Sequence, residues 1–111
     1  MRFEDIAGQR VTKAKLWSIF EARQIPHALL FSGPEGSGSF ALSLAFAQLV
    51  FCVSPLNDDS CGKCDACKRV SKLQHPDLHF SFPFFNISGR EKTLSNDYWS
   101  EWSKAILEIH I

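Results

Sequence analysis

Leu16, Ile19 and Phe20 recur at i, i+3 and i+4, with Lys13, Lys15, Glu21 and Arg23 on the other positions, and predict an amphipathic helix over 9–23. Pro26 holds Ile25 away from helical backbone, so the helix should break between Gln24 and Pro26. The run "HALLFSG" is short, apolar and closed by glycine, the pattern of a buried strand. From about Phe40 to Phe51 the chain is apolar nearly all round. Leu42, Ala45, Phe46, Leu49 and Val50 form one stripe, and Ala41, Leu44 and Ala47 cover much of the rest, which predicts a core helix. "SPLNDDS" reads as a loop, and "KRVSKLQ" as a short helix stopped by Pro76. "DLHFSFP" alternates, with Leu78, Phe80 and Phe82 on one face, and predicts a second strand ended by Pro83. "NISGREKTLSND" reads as an exposed loop and "YWSEWSKAILEIHI" as a final amphipathic helix.

Strand, glycine turn, helix, excursion and second strand together form the opening of an α/β nucleotide-binding domain, with parallel strands joined right-handedly. Two strands make a poor sheet, and no later strand ends in an aspartate able to hold magnesium. The chain is therefore expected to be the N-terminal part of a longer protein. With 45% hydrophobic residues and ten phenylalanines, it has the composition of a folded chain. Its 12 basic and 12 acidic residues balance, so no global field draws it onto nucleic acid or membrane. No secretory signal is visible. The uncharged run Phe40 to Val53 falls short of the roughly 20 residues that a spanning helix needs. The expectation is a cytoplasmic protein whose four cysteines stay reduced or bind metal.

Two stretches carry chemistry. The first is "GPEGSGSFAL", which meets the phosphate-loop pattern G-x-x-x-x-G-K-[ST] at Gly33 and Gly38 and then departs from it. Gly33, Pro34, Glu35, Gly36, Ser37 and Gly38 keep the frame in which backbone N–H groups wrap phosphates. Ser39 stands where lysine would reach the phosphates, and Phe40 where a hydroxyl would ligate magnesium. Losing one charge-assisted hydrogen bond costs roughly 1.5–3 kcal/mol. The loop reads as a relic that binds ATP weakly or not at all and does not hydrolyse it. The plainer alternative is an ordinary strand-to-helix turn.

The second is C-x8-C-x2-C-x2-C, made by Cys52, Cys61, Cys64 and Cys67. Four thiolates within sixteen residues suit a tetrahedral Zn²⁺. Gly62 would allow the tight bend of the Cys61–Cys64 knuckle, and Lys63, Lys68 and Arg69 would offset the cluster's negative charge. All four ligand positions would be filled by cysteine, so the site would be structural. Three alternatives stand beside this one: Cys52 as a core residue, disulfides in any of three pairings, or a redox pair at Cys61 and Cys64. His27, His75, His79 and His110 form no nucleophile–base set. Phe80, Phe82, Phe84 and Phe85, like Trp17, Trp99 and Trp102, read as core before they read as a base-stacking or partner surface.

Taken together, "FEDIAGQ", "RQIPHALLFSGPEGSG", "CGKCDACKRV" and "HPDLH" make most of residues 1–78 resemble the N-terminal AAA+ domain of bacterial DNA polymerase III clamp-loader subunits. The resemblance implies a five-part ATP-driven machine that opens the ring-shaped sliding clamp and places it on primed DNA. It also implies a zinc-binding insertion over 52–67, and a collar domain and later sheet strands that this chain does not include. Motor subunits of that family, gamma and tau, have an intact loop. The departure at Ser39 and Phe40 is similar to the delta prime type, which does not hydrolyse ATP and sits beside gamma/tau and delta. Two rival readings are a gamma/tau-type motor that tolerates the altered loop, and a zinc-stabilised module that binds nucleic acid. Residues 83–111 carry little of the family pattern.

Overall fold

The computed structural model describes residues 1–81. The chain divides into two compact units, Met1–His75 and Pro76–Ile111. The first contains a 3-10 turn at Phe3–Asp5 and three helices: α1, Arg10–Glu21; α2, Ser39–Phe51; and α3, Asp65–Ser71. In the second, the described residues begin with a turn at Pro76 and Asp77 and continue to Ser81 without regular secondary structure. Phe82, Phe84, Phe85, Trp99, Trp102, His110, the loop read over 86–97 and the helix read over 98–111 lie outside the described residues.

Helix α2 is the centre of the first unit. Its apolar residues leave no polar face, so it can be stable only with neighbours on several sides. They are α1, α3 and the 3-10 turn. Leu42, Ala45, Phe46 and Leu49 of α2 bury themselves with Phe3 and Leu16, and Ile6, Trp17, Ile19, Phe20 and Phe31 pack around this cluster. Leu44 is buried too, whereas Val50, the last member of the predicted stripe, is 40% exposed. Trp17 packs against Phe20 with ring centroids 5.6 Å apart, and the ring of Phe51 stacks on His75 at 4.0 Å. These contacts give Trp17, Phe20, Phe51 and His75 packing roles.

Both outer helices stop before the prolines expected to stop them. After α1, the N–H groups of Arg23 and Gln24 bond back to the carbonyls of Phe20 and Ile19, with Arg23 left-handed at φ 56°. After α3, Leu73 and Gln74 bond back to Val70 and Arg69, again with a left-handed residue, Leu73, at the corner. This pair of crossed bonds satisfies the last carbonyls of a helix. It does so here without the usual glycine. In α3, burial of Leu73 in the core compensates for its strained backbone.

The two expected strands are absent among the described residues, and with them the parallel sheet. Residues 27–33 have no regular secondary structure, and no backbone–backbone hydrogen bond among the described residues involves them. Leu30 is 91% exposed. Residues 78–81 form no strand either. An apolar run shows that a segment can be buried, but a strand also needs a neighbour to pair its N–H and C=O groups. Among the described residues, no segment pairs its backbone with "HALLFSG". No described helix is long and apolar enough to cross a membrane.

Candidate metal centre and glycine loop

The four cysteines converge where α2 ends and α3 begins. Cys52 is the C-cap of α2 and turns the chain out into extended backbone. Two residues in left-handed conformation, Asn57 and Asp58, then reverse it, and Leu56 and Asp59 exchange both backbone hydrogen bonds at 2.8 and 3.1 Å. This is a two-residue hairpin turn, for which Asn and Asp are suited because they tolerate positive φ. It returns Cys61 to Cys52. Cys64 caps α3, its sulfur accepting the Cys67 N–H, which places Cys64 and Cys67 on one turn.

All four sulfurs lie within 4.8 Å of one another. Cys52 Sγ is 3.6 Å from Cys61 Sγ, which is 4.0 Å from Cys67 Sγ. A tetrahedral ion with ligands at about 2.3 Å needs sulfurs about 3.8 Å apart. The spacing fits such an ion and is too long for a disulfide. All four cysteines are free.

The surrounding backbone suits thiolates. Cys61 Sγ accepts the N–H groups of Lys63 at 3.4 Å and Cys64 at 3.3 Å, and Cys52 Sγ accepts that of Cys61 at 3.3 Å. The Lys63 N–H, followed by the Ser54 hydroxyl and the Cys64 N–H, holds Cys61 down to about 5. Burial works upward on Cys64, but the N–H groups of Val53 and Cys67 prevail and keep it below the usual thiol range. Burial raises Cys52 and pushes Cys67 up to about 12, with the adjoining Cys64 sulfur adding to the shift. Four thiolates this close repel each other strongly, and a divalent cation would remove that repulsion. These cysteines could hold a metal ion, with no position left over for a substrate.

Gly62 makes the knuckle possible. Its φ is +72°, and a Cβ there would stand 2.8 Å from Cδ of Arg2. Gly62→Ala is expected to destabilise the chain by about 1–2 kcal/mol, the cost of a left-handed non-glycine residue. The shift of a urea midpoint at unchanged slope measures it.

Three residues not identified in the sequence tie this centre to the chain's first residues. Asp59, 5% exposed, accepts the N–H of Phe3 at 3.0 Å, of Glu4 at 3.1 Å and of Ser60 at 2.8 Å. Arg2 donates from Nε to the Ser60 carbonyl at 2.7 Å. Gln48, fully buried in the apolar α2, donates to the Ser60 hydroxyl and accepts from the terminal ammonium and the Ser71 hydroxyl. The hairpin signal "NDD" was available in the sequence, whereas partners more than forty residues apart carry no local pattern.

The glycine loop lies at the other end of α2. Gly33, Pro34, Glu35 and Gly36 are exposed, and Ser37 turns back so that its N–H bonds the Pro34 carbonyl at 3.0 Å. Gly38, left-handed at φ 83°, is the N-cap of α2. Ser39 is the first helical residue and Phe40 the second, so the helix begins one residue earlier than expected. Ser37 Oγ is buried with no hydrogen-bond partner among the described residues. Gly33, Ser37 and Ser39 line a cleft of about 430 Å³ with Gln9, Thr12 and Lys15 of the α1 region. The loop frame therefore leads into a helix N-terminus, while positions 39 and 40 offer neither an ammonium group nor a hydroxyl at the second site. Of the histidines, His27 and His79 are exposed and His75 is stacked.

Comparison with known families identifies a clamp-loader-type subunit, of a family of AAA+ type. The chain belongs to the family described as DNA polymerase III, delta subunit, which matches residues 8–105. It is 33% identical over 95 residues to DNA polymerase III subunit delta' of Bacillus subtilis, an alignment covering 86% of this chain and 28% of that protein. It is 37% identical over 70 residues to subunit tau of the same organism, covering 63% of this chain and 12% of tau. A delta' subunit of Pseudomonas aeruginosa is 40% identical over 63 residues, covering 56% of this chain and 19% of that protein. The chain thus spans between about an eighth and somewhat over a quarter of these relatives. No solved structure matches it.

Proposed function

We propose that this chain is the N-terminal, AAA+-type part of a delta-prime-like subunit of the bacterial clamp loader, a subunit that takes part in loading the sliding clamp without hydrolysing ATP. One observation carries this reading: Ser39 and Phe40 open α2 where a working phosphate loop needs lysine and Ser/Thr. On this reading residues 1–111 are the first part of the domain, with 52–67 as a zinc-binding insertion. Cys52, Cys61, Cys64 and Cys67 hold a structural Zn²⁺, and Gly33 to Phe40 form a relic phosphate loop. The parallel sheet belongs to the complete domain, where later strands would pair with residues 27–33. The partners are the gamma/tau and delta subunits and, through the complex, the clamp and primed DNA. The place of action is the cytoplasm.

A second reading, an ATP-binding motor subunit of gamma/tau type, is favoured by the 37% identity to the B. subtilis tau subunit. Calorimetric titration with ATP separates the two. The delta-prime reading predicts no saturable, magnesium-dependent binding and no phosphate release. Magnesium-dependent binding with turnover would establish the motor reading instead.

A further inference from the structure

We infer that Asp59 and Arg2 are positioning residues for the four-cysteine site, so that the docked start of the chain and a bound metal hold each other in place. The inference rests on the metal reading proposed above and extends it to residues outside the ligand set.

The geometry is direct. Asp59 and Ser60 immediately precede the ligand Cys61 on the loop that returns from Cys52. The Asp59 carboxylate is shared between its own loop and the 3-10 turn: Oδ1 accepts from both Ser60 N and Phe3 N, and Oδ2 accepts from Glu4 N. A carboxylate that bonds backbone N–H groups on two segments fixes one against the other. Arg2 adds the reverse contact, donating to the Ser60 carbonyl, while its stem fills the space beside Gly62 that any larger residue would occupy. Asp59 and Ser60, the two residues before Cys61, are thus both held by the first four residues of the chain. Phe3 is buried in the core with Leu49 and Leu16, so the anchor itself is firm. At its other end the same segment bonds the glycine loop, Gln9 donating to the Ser37 carbonyl at 3.1 Å.

Groups outside the ligand set that orient ligands typically change metal affinity by 10–100-fold when removed. Coupling between two such elements is reciprocal, so whatever loosens the first residues of the chain must loosen the metal.

The test loads the full chain, carrying no N-terminal tag, with cobalt(II). Its thiolate absorption reports the site, and its release to an excess of chelator is timed. Arg2→Ala and Asp59→Ala are expected to release cobalt about tenfold faster than the parent chain. Asp59→Asn retains an oxygen able to accept from Phe3 and Ser60 and should recover most of the loss. Phe31→Ala, which removes a ring packed on Phe46 and away from the first residues and the Asp59 loop, controls for general destabilisation and should stay within about twofold of the parent. Where Asp59→Ala fails to fold, Arg2→Ala carries the test alone. Release at the parental rate from Arg2→Ala, or equal acceleration by Phe31→Ala, would overturn the inference while leaving the metal reading intact. A parent chain that takes up no cobalt with thiolate absorption would overturn both.

Discussion

Cys67→Ser is expected to abolish stoichiometric metal binding and to lower the thermal midpoint of the chain by more than about 10 °C. Cys67 is fully buried on the face of α3 that packs against α2, and it is the ligand farthest from solvent. A serine hydroxyl is a poor ligand for a soft cation, so three sulfurs would remain around an open position. Structural zinc contributes roughly 10–16 kcal/mol of apparent binding energy in small peptides. Forfeiting even a third of that is several kcal/mol. At about 4–8 °C of midpoint per kcal/mol for a small domain, the shift is large. Circular dichroism melts with parallel metal analysis measure it. The parent chain and the variant should melt alike once chelator is present, which separates loss of metal from loss of packing. A variant that melts with the parent in the absence of chelator would remove the metal from the stability of the fold.

Leu49→Ala should cost about 2–5 kcal/mol, the range for deleting a buried leucine side chain in a packed core. Leu49 has no exposed surface and lies within the cluster formed by Phe3, Leu16, Leu42, Ala45 and Phe46. Its neighbour Val50 is 40% exposed, and Val50→Ala should cost less than about 1 kcal/mol. The contrast between adjacent positions tests the rotation of α2 directly. Urea midpoints at unchanged slope give both values. Equal costs would mean that α2 is turned differently in its socket. Metal stoichiometry should be unaffected in both variants, since neither residue belongs to the four-cysteine set.

What the sequence revealed divides along physical lines. Helix α2 was legible because thirteen residues with scarcely a polar side chain can fold only as a core helix. The cysteine centre was legible because its ligands are close in sequence, and knuckle geometry depends on a spacing that can be read directly. Helix ends were misjudged because Arg23 and Leu73 adopt left-handed corners usually given to glycine, while the prolines further on attracted the prediction. The expected strands do not form among the described residues because pairing is a property of two segments, and apolar content reports on one. Gln48 is a buried amide in an apolar helix and must find partners there. Its partners, Met1, Ser60 and Ser71, come from three different parts of the chain, and only folding brings them together.

The two ends of α2 now have distinct roles in the account. At its N-terminus Ser39 and Phe40 stand where the phosphate-loop pattern has lysine and Ser/Thr. At its C-terminus a metal held by the four sulfurs would supplement the hydrophobic core that so small a unit can build only in part. A subunit whose shape matters more than its chemistry would need the second feature and could lose the side chains of the first.

The central claim is that the four-cysteine site is a structural metal centre on which the first unit folds. Elemental mass spectrometry of the purified chain, with far-ultraviolet dichroism and a thiol count before and after chelation, tests it most directly. The account predicts one zinc per chain, thiols that are protected until chelator is added, and loss of helical signal as the zinc leaves. A metal-free chain with all four thiols reactive and its helices intact would contradict it.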